Sequence, residues 1–186
     1  MSEAAPCGGV GTGGRVLVEM AVADFRFVIA VAVARAPISS AYFLDDVDAE
    51  RLRDASLFRI VNLQNQAADH PSPIEVVQMG LLEKDARIAP SIVHETTGRS
   101  GLRHLKGTVS LARFAPGAVY HSWFVCMRDE PALDEGGSRH PDGLGFAAFG
   151  HVVEGLERLV RLYDEYGGGP EWVDRPLALR NIRRVG

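Results

Sequence analysis

"ASLFRIVN", residues 55–62, sets an arginine in the middle of an apolar run. Leu57, Phe58, Ile60 and Val61 have strand character, and strand side chains alternate between faces. Alternation predicts Leu57, Arg59 and Val61 on one face and Phe58 with Ile60 on the other. A guanidinium on a face otherwise made of Leu and Val is costly to bury unless it is paired or put to use. Arg59 is therefore the first candidate for function.

The same strand pattern recurs on both sides. "RVLVEMAV" (15–22) and "FRFVIAVAV" (25–33) flank Ala23-Asp24 and predict a hairpin, with Phe25, Phe27, Ile29, Val31 and Val33 on one face. Further strands are expected at 74–79, 107–113, 122–127, 146–153 ("FAAFGHVV") and 176–185 ("PLALRNIRRV"). "APISSAYFLDDVD" (36–48) reads as a helix, with Pro37 near its start, Ser39 as a candidate cap, and Tyr42, Phe43 and Val47 facing inward. "EGLERLVRLYDEYGGG" (154–169) reads as a second helix that buries Leu156, Leu159, Val160 and Tyr163 and stops at glycine. Residues 81–106 show no clean period. Helices do not regularly separate the strands, so a mainly β, antiparallel barrel with helices closing its ends fits better than a parallel α/β sheet. No repeat or domain boundary interrupts residues 15–186, which read as one domain after a Gly-rich tail, 1–14, expected to be disordered.

Bulk properties narrow the function. The 186 residues are 46% hydrophobic and 24% charged, enough for one sizeable core. A net charge of −4 points away from nucleic acid as a partner. No apolar run reaches the roughly 18 residues of a membrane span. The start lacks a signal-peptide pattern, so the expected location is the cytoplasm, or the periplasm where a leader has been removed. Cys7 and Cys126 do not make a disulfide framework, and Cys126, in "WFVCM", reads as a small buried hydrophobe.

Several motifs fail on context. "GVGTGG" (9–14) has dinucleotide-loop spacing, but no strand precedes it and no helix follows. The six histidines (70, 94, 104, 121, 140 and 151) lack metal-ligand spacing, and "VHETTGR" lacks the second His of a zinc-protease helix. The acids of "FLDDVDAE" read as a solvated face. Ser110, mid-strand in "GTVSLAR", reads as a structural hydroxyl, and no G-x-S-x-G elbow is present.

Seven segments, in order, carry a resemblance: "RAPISSAYFLDDV", "LFRIV", "IEVVQMG", "HETTGRSGLRHLKGTVSLAR", "WFVCM", "LDEGG" and "PDGLGFAAFGHVVEGLE". Together, over about residues 15–185, the chain resembles a cyclophilin, a peptidyl-prolyl cis–trans isomerase, with the bacterial branch the nearer. The resemblance implies a closed eight-stranded antiparallel barrel capped by two α-helices, a fold that agrees with the strand count made from periodicity. It implies that Arg59 projects from the outer wall into a substrate groove and acts catalytically on the prolyl nitrogen. Gln78 matches the family glutamine that holds the substrate carbonyl. Val76, Phe124 and Leu133 would form the proline pocket. Ala112 and the backbone of Arg113 would line the groove, with Ser122 and Phe146 at positions that contact substrate. The implied partners are proline-containing peptides or unfolded protein segments, with no nucleic acid or membrane, no cofactor and no metal, and with the chain a monomer. The alternatives are a non-catalytic peptide-binding or chaperone module of the same fold, and a small-ligand barrel with a hollow interior.

The match departs from the family around the groove. Glu75 stands where an aromatic is common, Val76 where methionine is, and Met79 in place of a glycine. Ser122 replaces a glutamine or glutamate, preceded by His121 rather than a small residue. Trp123 replaces the first residue of a Phe-Phe pair. Ala132 replaces a tryptophan that contacts cyclosporin, which implies weak binding of that drug. Phe146 replaces a histidine of eukaryotic members.

Overall fold

A computed structural model describes residues 15–82 and 91–186. The expected tail, with Cys7 and the glycine motif, lies outside the described residues. Eight strands run β1 (Val16–Val22), β2 (Phe25–Val31), β3 (Ser56–Val61), β4 (Val76–Gly80), β5 (Thr108–Ala115), β6 (Ala118–Cys126), β7 (Ala147–Glu154) and β8 (Trp172–Val185). They close a barrel in the order β1-β2-β7-β5-β6-β4-β3-β8, every pair antiparallel. Helices α1 (Pro37–Asp48) and α3 (Leu156–Tyr166) match the two expected helices, and a short α2 (Thr97–Ser100) lies in the stretch without a period.

The interior is packed solid. Met20, Phe27, Ile29, Leu57, Ile60, Met79, Leu111, Trp123 and Phe149 are all essentially inaccessible and join Phe43 of α1 and Leu159 of α3 in one cluster. Phe43 meets Trp123 edge-on, with ring centroids 5.1 Å apart. A hollow, ligand-binding barrel is thereby excluded.

Local details correct three expectations. Ser39 does not cap α1; Ala36 holds the cap position, and the buried Glu95 carboxylate accepts from the backbone N–H groups of Ile38 (3.2 Å) and Ser39 (2.7 Å). With Pro37 supplying no N–H, a distant carboxylate does what a cap residue ordinarily does. Asp46 is not on a solvated face. It is buried, 2.8 Å from His121 Nδ1 and 3.2 Å from Arg51. Strand β8 starts at Trp172, before Pro176, because Pro176 lies in an irregular stretch between the Arg59↔Trp172 and Leu57↔Leu177 pairs, where no ladder N–H is needed.

The largest correction concerns β3. Leu57 pairs with Met79, but Arg59 pairs with Gln78, so Phe58 is one residue too many. This β-bulge breaks the alternation. Leu57 and Ile60 enter the core, whereas Arg59 and Val61 lie on the outer wall. Arg59 does not share a face with Leu57, and the charge that looked misplaced in the sequence is never in the core.

Candidate active site

Regular alternation on β4 and β6, combined with the bulge in β3, brings one row of side chains to the outer wall. Arg59 pairs with Gln78, Gln78 with Phe124, and Phe124 with Ser110, across β3, β4, β6 and β5. The neighbouring row, Val61, Val76 and Cys126, supplies apolar surface beside it. Val61, Ile74, Val76, Phe124, Cys126 and Leu133 form a second hydrophobic cluster, separate from the core, with Phe146 partly exposed against it. Leu133 arrives on a 3₁₀ turn, Pro131–Leu133. Phe146 meets Phe124 edge-on at 5.5 Å, and the Arg113 guanidinium lies 5.0 Å from the Phe146 ring centre. Burial raises the Cys126 thiol well above its ordinary range, consistent with a packing role.

At the polar end of the row, Arg59 Nη1 donates to Gln78 Oε1 at 2.9 Å. Gln78 Nε2 donates to Tyr120 Oη at 2.8 Å and Ser122 Oγ at 3.1 Å. The reverse amide orientation would set donors against the arginine's donors, so this network fixes it. Both amide hydrogens are thus engaged, and the amide oxygen accepts from Arg59. Ser122 is buried and donates to Met79 O at 3.0 Å. Its Oγ also accepts from Gln78. Burial pushes the Tyr120 phenol up, keeping it a neutral partner.

The other side of Arg59 was not foreseen. Its Nε donates to Glu171 Oε1 at 2.6 Å, its Nη2 bonds the same oxygen, and its guanidinium carbon is 5.3 Å from the Trp172 ring centre. Trp172 in turn stacks on Phe58, the bulge residue. Arg59 and Glu171 are each about a quarter exposed.

Beneath Phe124 lies a Ser–His–Asp chain. Ser110 Oγ is 3.0 Å from His104 Nε2, and His104 Nδ1 is 2.8 Å from Asp134. Ser110 has no exposed surface and His104 only 1%. The His104 ring stacks under Phe124, with centroids 6.1 Å apart. No substrate can reach Ser110, so the chain supports the pocket: it holds Phe124 from below and, through Asp134, the end of the turn bearing Leu133. Burial raises the Asp134 carboxyl, but bonds from His104 and Arg103 outweigh it, and the net shift is downward.

Of the remaining expected groove residues, Ala112 is buried on β5, past the last β5–β7 pair, Leu111↔Ala147. The Arg113 side chain is buried and forked onto Asp142, at 2.8 and 2.9 Å. The departures mostly face elsewhere. Met79 points into the core. Glu75 bonds Tyr163 Oη of α3 at 2.5 Å, and His121 stacks on Tyr42 of α1. A cavity of about 470 Å³ lined by Ala30, Arg35, Leu102 and His151 involves none of the row.

These features define a closed antiparallel barrel with an arginine and an apolar pocket on its outer wall. Residues 17–186 match the family model described as cyclophilin type peptidyl-prolyl cis-trans isomerase/CLD. A crystal structure of a cyclophilin type peptidyl-prolyl cis-trans isomerase from Cryptosporidium parvum superposes with a TM-score of 0.70 at 13% identity, covering 92% of this chain and 98% of that one. No curated protein matches in sequence. The chain belongs to the cyclophilin-type peptidyl-prolyl cis–trans isomerase family.

Proposed function

We propose that the protein accelerates rotation about X–Pro bonds in peptides and folding proteins, with Arg59 as the catalytic residue. Amide resonance imposes a barrier of roughly 18–20 kcal/mol on this rotation. In the twisted transition state the prolyl nitrogen becomes pyramidal and regains its lone pair. A guanidinium N–H beside it then donates a hydrogen bond that the planar amide cannot accept. This is binding stronger in the transition state than in the ground state, delivered by a preoriented donor. No proton transfer or covalent intermediate is required.

The observation that carries this reading is the adjacency, within one ladder row, of a held guanidinium (Arg59–Gln78) and an aromatic pocket wall (Phe124). A proline ring buries apolar surface against Val76, Phe124 and Leu133 without losing side-chain rotamers, which favours proline over flexible residues. Gln78 orients the arginine, and Ala112 with the Arg113 backbone borders the peptide.

The test is NMR exchange spectroscopy on a short Ala-Pro-Phe-type peptide. Wild type should speed exchange, and Arg59→Ala should lose that acceleration while still binding peptide. Binding without acceleration in wild type would replace the enzyme with a peptide-binding module.

A further inference from the structure

We propose that Glu171 is a positioning residue for Arg59, an inference that rests on the catalytic reading above. An arginine stem has several rotatable bonds, and a hydrogen bond to a developing lone pair depends steeply on direction. Three of the five guanidinium N–H groups are engaged: one on Nη1 by Gln78, and those on Nε and Nη2 by Glu171. One hydrogen remains on each Nη nitrogen for a substrate. The Trp172 ring, 5.3 Å away, restricts the plane of the group.

Glu171 is itself fixed. Its backbone carbonyl accepts from Ile60 N–H at 2.9 Å, one residue beyond Arg59, and Trp172 is paired with Arg59 in the ladder. The carboxylate is therefore anchored to the strand that bears the arginine. A carboxylate on a cation also damps its field. Here the receiving atom is a neutral nitrogen, and both side chains are partly in water, so direction outweighs net charge.

Two substitutions separate the effects. Glu171→Gln keeps an acceptor oxygen and removes the charge, whereas Glu171→Ala removes both. Positioning predicts that Glu171→Ala lowers kcat about tenfold with KM within about twofold, and that Glu171→Gln recovers to within about threefold of wild type. The Arg59 Nε–Hε NMR signal should exchange slowly with water in wild type and Glu171→Gln, and broaden in Glu171→Ala. A rise in kcat in both variants would mean that Glu171 restrains the arginine, and an unchanged kcat in a folded Glu171→Ala would deny it any role; either overturns the proposal. Wild type without activity, or Arg59→Ala with full activity, would instead overturn the catalytic reading and this inference with it.

Discussion

Trp123 and Phe124 are adjacent in the chain and lie on opposite sides of one wall. Trp123 sits in the sealed core with Phe43 and Met79; Phe124 sits in the outer cluster with Val76 and Leu133. Both are buried, at 1% and 5% exposure, so burial alone does not tell them apart. What differs is the company. Inside, neighbours are apolar and close-packed. Outside, the apolar cluster borders Arg59, Gln78, His104 and Asp134, whose polar atoms have particular partners. The inner face holds the core and the outer face holds the proposed site, and on β6 a two-residue period keeps them apart.

The comparison can be broken most directly from the inside. Trp123→Ala should destabilise the fold by about 3–5 kcal/mol, measured by urea unfolding, because nothing can refill the space. Equal losses at Trp123 and at an outer position would erase the distinction. On the outer wall, Arg59→Lys should cut kcat/KM about 100-fold, roughly 2.7 kcal/mol, with Tm nearly unchanged. Lysine keeps the charge and lacks the planar fork that Glu171 and Gln78 hold. Next in size, Phe124→Leu should raise KM several-fold and remove about 1 kcal/mol of stability, seen in peptide titration and unfolding together.

The smallest effect is a pH dependence at the end of the outer cluster. Glu130 accepts from Glu75 N–H at 2.7 Å. Burial, with the nearby Glu75 charge, raises its carboxyl from 4.5 to about 7, against the pull of that bond. Between those values the folded chain binds more protons than the unfolded one, so Glu130 makes stability fall as pH rises through that window. Glu130→Gln should therefore show a smaller drop in Tm between about pH 5 and about pH 8. An identical drop in both proteins would show that Glu130 is not its source.

All eight strands and both long helices were legible because hydrophobic period is local information. Arg59 stood out for the same reason: its charge contradicts its neighbours. The bulge was not legible, because an extra residue shows only against the partner strand. Leu57 was therefore placed on the wrong face. Tyr120 was missed because β6 begins at Ala118, earlier than its apolar stretch suggests. Glu171 and Glu95 act on groups 112 and 56–57 residues away, and no spacing rule reaches that far. The resemblance named the family and the closed barrel. Where Glu75, Met79 and His121 point was not legible, because a motif match names positions without saying which way a side chain faces.

Strand β8 has a consequence in time. It fits between β1 and β3 and follows both by more than 100 residues. While a ribosome is still making the chain, those two strands have open edges, the kind that recruit stray strands. Residues 172–178 cover the β3 edge and residues 179–185 the β1 edge. Their arrival also delivers Glu171 and Trp172 to Arg59. The arginine receives its final neighbours with the same strand that makes the molecule safe from mispairing, so an unfinished chain has neither a closed wall nor an assembled site.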